Sequence, residues 1–359
     1  MTTLAVAMPV DDRLGRALEL ARGGRAAEMR RDLTGALTHY QEARSLLADA
    51  DLTPLYANLL RWSGSVLRDM GEIDAADRLY SDSISVADQT GATAAKASAL
   101  NCRAVIAQRR GDLDEATALY RRAARLATEA GEIRLAGMIE QNLGVLANIR
   151  GDLDAALVRY RAALRAFEEV SDDEAVSWVL NNMGMLLTDL GLPMRAEASF
   201  KRGLTIARAR RDRPMQGVLR ANYAECLIAM QRWDEAAREL RFALGTAREG
   251  DDGAREGEAL KLLGVLTREQ GKVDESERHL QNALEIGLRI EDPLLVAEVF
   301  RERGELRRIQ GRPEQAILDW GNARDGFRSL HATLDADQTT ARIEMLQTQV
   351  NGQGGEVAS

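Results

Sequence analysis

GDLDEATALY at residues 111–120 and GDLDAALVRY at residues 151–160 stand forty residues apart and agree at six of ten places. The frame continues outward in both directions: RDLTGALTHY from Arg31, GEIDAADRLY from Gly71, GLPMRAEASF from Gly191, QRWDEAAREL from Gln231, GKVDESERHL from Gly271 and GRPEQAILDW from Gly311. Eight blocks of forty cover 31–350 without insertion or deletion. Self-similarity at a fixed period of this size marks a stacked repeat, in which each unit buries its apolar face on the next.

The columns of this alignment are chemically uniform. The sixth place holds Ala36, Ala76, Ala116, Ala156, Ala196, Ala236, Ser276 and Ala316, and the tenth holds Tyr40, Tyr80, Tyr120, Tyr160, Phe200, Leu240, Leu280 and Trp320. A third column reads Gly24, Gly64, Ala104, Gly144, Gly184, Ala224, Gly264 and Gly304. Small residues at fixed places let helices approach, and a large one fills the space beside them. Each block holds two amphipathic segments with apolar residues at helical spacing, for example Leu153, Ala156, Leu157, Tyr160, Ala163, Leu164 and Phe167. Asp112 and Asp152 stand where N-caps belong, with Glu115 completing a capping box after Asp112. Pro193 and Pro313 fall at first helical positions. No segment alternates as a strand does.

Leu143-Gly144, Ala147, Ala156, Tyr160 and Ala163 resemble the tetratricopeptide repeat, a helix A, a turn and a helix B. The period here is 40 rather than the usual 34, as in kinesin light chain, Pins-type and bacterial Rap-type arrays. Arg103 and Arg303 depart from the pattern at the place of Leu143, and looser packing is expected there. The resemblance implies an all-α, right-handed superhelical solenoid of about eight hairpins over residues 12–350. A capping helix is expected near 333–350, with disordered tails at 1–11 and 351–359. It also implies that A helices line a concave, ligand-accepting groove.

Composition narrows the function. Of 359 residues, 45% are hydrophobic and 29% charged, and 48 basic against 56 acidic residues give a net charge of -8. An acidic total disfavours a general nucleic-acid binder. No apolar run of membrane-spanning length occurs and no signal peptide is expected, so a cytoplasmic location is expected and the two cysteines are expected reduced. No phosphate-cradling Gly-rich motif with its Lys, no HExxH and no CxxC pair occurs, and His39, His279 and His331 fall in different repeats. No enzyme activity, cofactor or metal is expected. Lys201, Arg202, Arg208, Arg210, Arg211 and Arg213 read as a solvated helix face.

With Gly144 as position 8 of its A helix, positions 2, 5, 6, 9 and 12 form the face the resemblance assigns to ligands. Position 6 carries Asn142, Asn182 and Asn222, and position 5 carries Asn101, Gln141, Asn181, Lys261 and Arg301. Trp178 and Met138 occupy position 2, and Met185 occupies position 9. An Asn amide offers both donor and acceptor, which matches the backbone of an extended peptide. It equally suits a bridge between neighbouring A helices. The expected groove residues are Asn101, Gln141, Asn142, Trp178, Asn181, Asn182, Met185, Asn222, Lys261 and Arg301. The expected role is a non-enzymatic scaffold in bacterial regulation or signalling, binding a protein or peptide but neither nucleic acid nor membrane. The alternatives are a self-associating, homo-oligomeric solenoid and a sensor fragment of a longer protein.

Overall fold

The computed structural model describes residues 10–47, 53–330 and 332–356, with side chains for 12–47, 53–330 and 332–350. Its described residues form seventeen helices and no strand. Four helical hairpins make up a first unit that ends at Asp172, and four more with a final helix make up a second that starts at Asp173. In the first, the A helices are α1 (Val10–Met29), α3 (Pro54–Asp69), α5 (Thr93–Arg109) and α7 (Ile133–Ile149). Their B partners are α2 (Leu33–Leu47), α4 (Ile73–Gln89), α6 (Leu113–Glu129) and α8 (Leu153–Glu169). In the second, the A helices are α9 (Asp173–Asp189), α11 (Arg213–Ala229), α13 (Gly253–Glu269) and α15 (Pro293–Ile309). The B helices are α10 (Pro193–Ala209), α12 (Trp233–Glu249), α14 (Val273–Arg289) and α16 (Pro313–Ser329), and α17 (Thr333–Glu356) closes the unit.

The period is finer than forty. From α4 to α16 every helix has seventeen residues, about 25 Å, and the chain turns in the next three. At the turn after α5, Gly111 N–H donates to Gln108 O (3.1 Å) and Asp112 N–H to Ala107 O (2.9 Å), the Schellman pattern. The middle residue sits in the left-handed region: Gly111 at φ 83°, and its equivalents Gly71, Gly91, Gly131, Gly151, Gly191, Gly271 and Gly311 likewise. The third turn residue then serves as N-cap of the next helix. Asp152, Asp212, Asp252 and Asp292 accept from first-turn amides. Asp112 forms no such bond, so the expected capping box is absent.

Two columns lock each hairpin. The tenth-column ring lies on the small A-helix residue of its own hairpin, so a Cβ on Gly144 would stand 2.6 Å from Tyr160 Cε1 and one on Gly64 2.8 Å from Tyr80 Cε1. Tyr40, Tyr80, Tyr120 and Phe200 are fully buried. Where Arg103 and Arg303 break the pattern, the B helix supplies a carboxylate: Arg103 Nε donates to Asp77 (2.8 Å), and Arg303 forks onto Asp319 (2.9 and 2.5 Å). Arg303 is thus compensated within its own hairpin, and Arg103 by α4 of the preceding one.

Within each unit, every B helix packs on the next A helix. A helices also touch one another directly, α3 on α5 on α7 in the first unit and α9 on α11 on α13 on α15 in the second. The A helices thus form an inner layer in each. The final helix buries Ala336, Ile343 and Leu346 against Phe327 and Trp320, which covers the last apolar face. It continues to Glu356, six residues into the stretch expected to be a tail. The remaining tail expectations, 1–9 and 357–359, lie outside the described residues.

Candidate functional site

Positions 2, 6, 9 and 13 of each A helix form one straight stripe at i, i+4, i+7 spacing. On α9 this stripe reads Trp178, Asn182, Met185 and Asp189. Trp178 and Met185 are exposed, at 37% and 41%. Asn182 lies between them, half-buried and with no hydrogen bond to any described residue. On α7 the corresponding residues are Met138, Asn142, Val145 and Ile149, with Gln141 half-buried beside them.

The asparagines are not all free. Asn142 Nδ2 donates to Asn101 Oδ1 at 3.0 Å, and Asn222 Nδ2 donates to Asn181 Oδ1 at 2.8 Å. Both bonds run from position 6 of one A helix to position 5 of the preceding one. Asn101 and Asn181 are buried, at 6% and 3%, so they join neighbouring helices instead of facing the groove. The amide nitrogens of Asn181 and Asn222 also approach Met185 Sδ at 3.6 and 3.3 Å, which orients that side chain. Asn182 and the side-chain carbonyls of Asn142 and Asn222 make no hydrogen bond among the described residues.

Lys261 is likewise internal. It is 7% exposed, and its Nζ lies 2.8 Å from Glu258 and 2.6 Å from Glu298 on the next A helix. Burial disfavours its charge, but the two carboxylates outweigh this and hold it protonated well above the usual lysine range. Arg301 spans Glu302 and Asp335, and Arg268 spans Glu269 and Glu302. Burial opposes the Glu302 charge, yet Arg268 and Arg301 bring its carboxyl below the ordinary range. This polar ladder, rather than an open cationic patch, is what α13 and α15 present. Glu298 and Asp189 join this wall through the stacking register of the A helices, which no local sequence pattern marks.

Glu225, at position 9 of α11, has no ion pair among the described residues. The residue is exposed, and the carboxylates of Glu258, Asp189 and Glu298 act on it from neighbouring A helices. Burial, then Glu258, Asp189 and Glu298, raise it to about 7 against the pull of Lys261. The folded state therefore holds this proton at pH values where the unfolded chain has released it, and stability falls as pH rises from about 4.5 to about 7. Glu225→Gln is expected to remove this decline. Its melting midpoint relative to wild type should climb between pH 5 and pH 8, and a flat difference would disprove the assignment.

In the basic run of α10 and the following turn, Lys201 pairs with Glu197 (2.7 Å), Arg210 with Glu174 (3.0 Å) and Arg213, at the start of α11, with Glu249 (2.7 Å). Cys102 and Cys226 are buried and unbridged. Among the described residues no cluster of His, Cys, Asp and Glu could hold a metal ion, and no helix is long and apolar enough to cross a membrane.

A sequence family described as tetratricopeptide repeat matches residues 134–209 and 215–286, and a second family of the same description matches 97–130. Together they span about half of the chain. No curated protein matches the sequence. Among solved structures, the chain is similar to a Rap protein complexed with competence and sporulation factor, at TM-score 0.62 and 14% identity over 96% of this chain and 99% of that one. It is similar to the Rap conjugation gene regulator of plasmid pLS20 in complex with a Phr peptide, at TM-score 0.59 and 18% identity over 81% and 79%. It is also similar to aspartyl phosphate phosphatase F from Bacillus subtilis, at TM-score 0.56 and 13% identity over 97% and 96%. At these identities the likeness establishes the fold, an all-α array of stacked hairpins.

Proposed function

We propose, from the premise that the chain belongs to the tetratricopeptide repeat family, that it is a non-enzymatic protein-interaction scaffold that accepts an extended peptide on the α9–α11 stripe. A bacterial regulatory setting in the cytoplasm fits this reading, since two structural neighbours are named as complexes with a peptide or a factor. The observation that carries the proposal is Asn182, unbonded between exposed Trp178 and Met185. Large apolar side chains left open on an inner helix mark a surface that something covers. The amide between them supplies the donor and acceptor that a peptide backbone requires. Trp178 and Met185 would read a side chain, while Asn182 and the Asn222 carbonyl hold the main chain. In the first unit, the Asn142 carbonyl and Gln141 are placed to do the same.

A phage-displayed library of random decapeptides, selected on the intact protein and then titrated singly, tests this. Two lost hydrogen bonds of about 1 kcal/mol each predict roughly thirtyfold weaker binding for the Asn182→Ala/Asn222→Ala variant. Its melting should fall, since Asn222→Ala leaves the buried Asn181 carbonyl unpaired, whereas Asn182→Ala alone should weaken binding about fivefold with melting nearly unchanged. Trp178→Ala should lower affinity further. Peptides that bind both variants as tightly as wild type would overturn the assignment.

A further inference from the structure

The first unit carries unbalanced cations on the same stripe. Arg22 and Arg25 lie one turn apart on α1, and Arg61 precedes Trp62 on α3. The guanidinium carbons of Arg25 and Arg61 lie 5.7 and 5.6 Å from the centroid of the Trp62 ring, so two like charges share one indole. None of the three arginines has an ion pair among the described residues, and Arg61 Nε is buried without a hydrogen-bond partner. Glu28, the carboxylate nearby, takes the Tyr40 hydroxyl. A buried donor without a partner costs free energy, and clustered like charges repel.

Arginine abundance does not explain this. In the second unit all nine cations on α11, α13 and α15 form ion pairs. The stripes also differ in sign. From α9 to α15 the stripe positions carry Asp189, Glu225, Glu258, Glu269, Glu298, Glu302 and Glu305 and no cation, whereas from α1 to α7 they carry Arg22, Arg25 and Arg109 against Asp69.

We propose that the Arg22, Arg25, Arg61 and Trp62 face binds the carboxylates of an acidic peptide segment in a partner protein. A guanidinium fork matches a carboxylate in a paired, charge-assisted geometry, and the indole offers an apolar wall for the side-chain methylenes. The net charge of -8 repels longer polyanions. The acidic stripe of the second unit rejects the same peptide, which gives the two units different specificities. The inference borrows from the scaffold reading only the idea that a peptide lies on A helices.

The test uses the full chain and fluorescently labelled hexaglutamate, read by anisotropy at low and high salt. Inorganic phosphate, a hexalysine peptide and a single-stranded oligonucleotide serve as competitors. Hexaglutamate should bind, and more weakly as salt rises. Arg25→Gln and Arg61→Gln should each weaken it by about tenfold or more, since each removes a charged hydrogen-bond donor. Arg109→Gln, at an exposed cation in the last turn of α5, should change it by less than about twofold because distant exposed charges are screened. Melting curves confirm that each variant is folded. Absence of hexaglutamate binding, equal losses in all three variants, or tighter binding of phosphate or oligonucleotide at this face would overturn the proposal. The Asn182→Ala/Asn222→Ala variant should leave hexaglutamate binding unchanged, so either reading can fail without the other.

Discussion

Gly144→Leu is expected to cost about 3 kcal/mol or more, because overpacking a close-packed core forces both backbone and side chain to move. The Tyr160 ring leaves no room: even a Cβ at 144 would lie 2.6 and 2.7 Å from two ring carbons. The ring cannot swing away, since Tyr160 is itself buried on α8, where desolvation pushes its phenol up to about 12. Amide hydrogen exchange should show protection lost first in α7 and α8, as repeat contacts are largely nearest-neighbour. Tyr160→Ala alone should cost about 3 kcal/mol through the cavity it leaves. The double variant should cost less than the sum by about 1 kcal/mol or more, because the leucine then occupies the vacated space. Additive costs would show that position 8 of the A helix is small for some other reason.

That pairing of a small column with a large one is why the fold was legible. A forty-residue period and two complementary columns dictate hairpins, and the hairpins appear at the expected places, capping helix included. What was not legible depends on contacts distant in sequence. Arg103 looked like a defect because its partner, Asp77, lies on another helix, 26 residues earlier. The groove face was visible as a set of positions, but its occupancy was not. Asn101 and Asn142 are 41 residues apart, and only the stacking register of two A helices sets one amide against the other. Position 5 therefore turned inward, where Asn101, Asn181 and Lys261 hold the layer together, while position 6 kept Asn182 outward. Columns of identical residue type reveal neither difference.

Lys261→Met is expected to destabilise the second unit by about 3–5 kcal/mol at pH 8, the range for removing one member of a buried ion cluster. The lysine stands between Glu258 and Glu298, with Glu225 and Glu302 also sensing its charge. Without it, carboxylates from α11, α13 and α15 face one another with less compensation, and they relieve this by taking up protons. The loss should therefore shrink as pH falls from 8 toward 5. In the wild type, the raised lysine contributes stability that is complete below its ordinary value of 10.5 and is lost only as pH climbs beyond it. The triple variant Lys261→Met/Glu258→Gln/Glu298→Gln separates charge from packing. It should recover most of the loss at pH 8, because replacing a buried ion cluster by neutral groups is often close to neutral, whereas breaking it is not. Urea unfolding at the two pH values measures all three quantities. A Lys261→Met protein as stable as wild type at pH 8, or a triple variant no better than the single one, would mean that the cluster is held by its apolar neighbours and not by its charges.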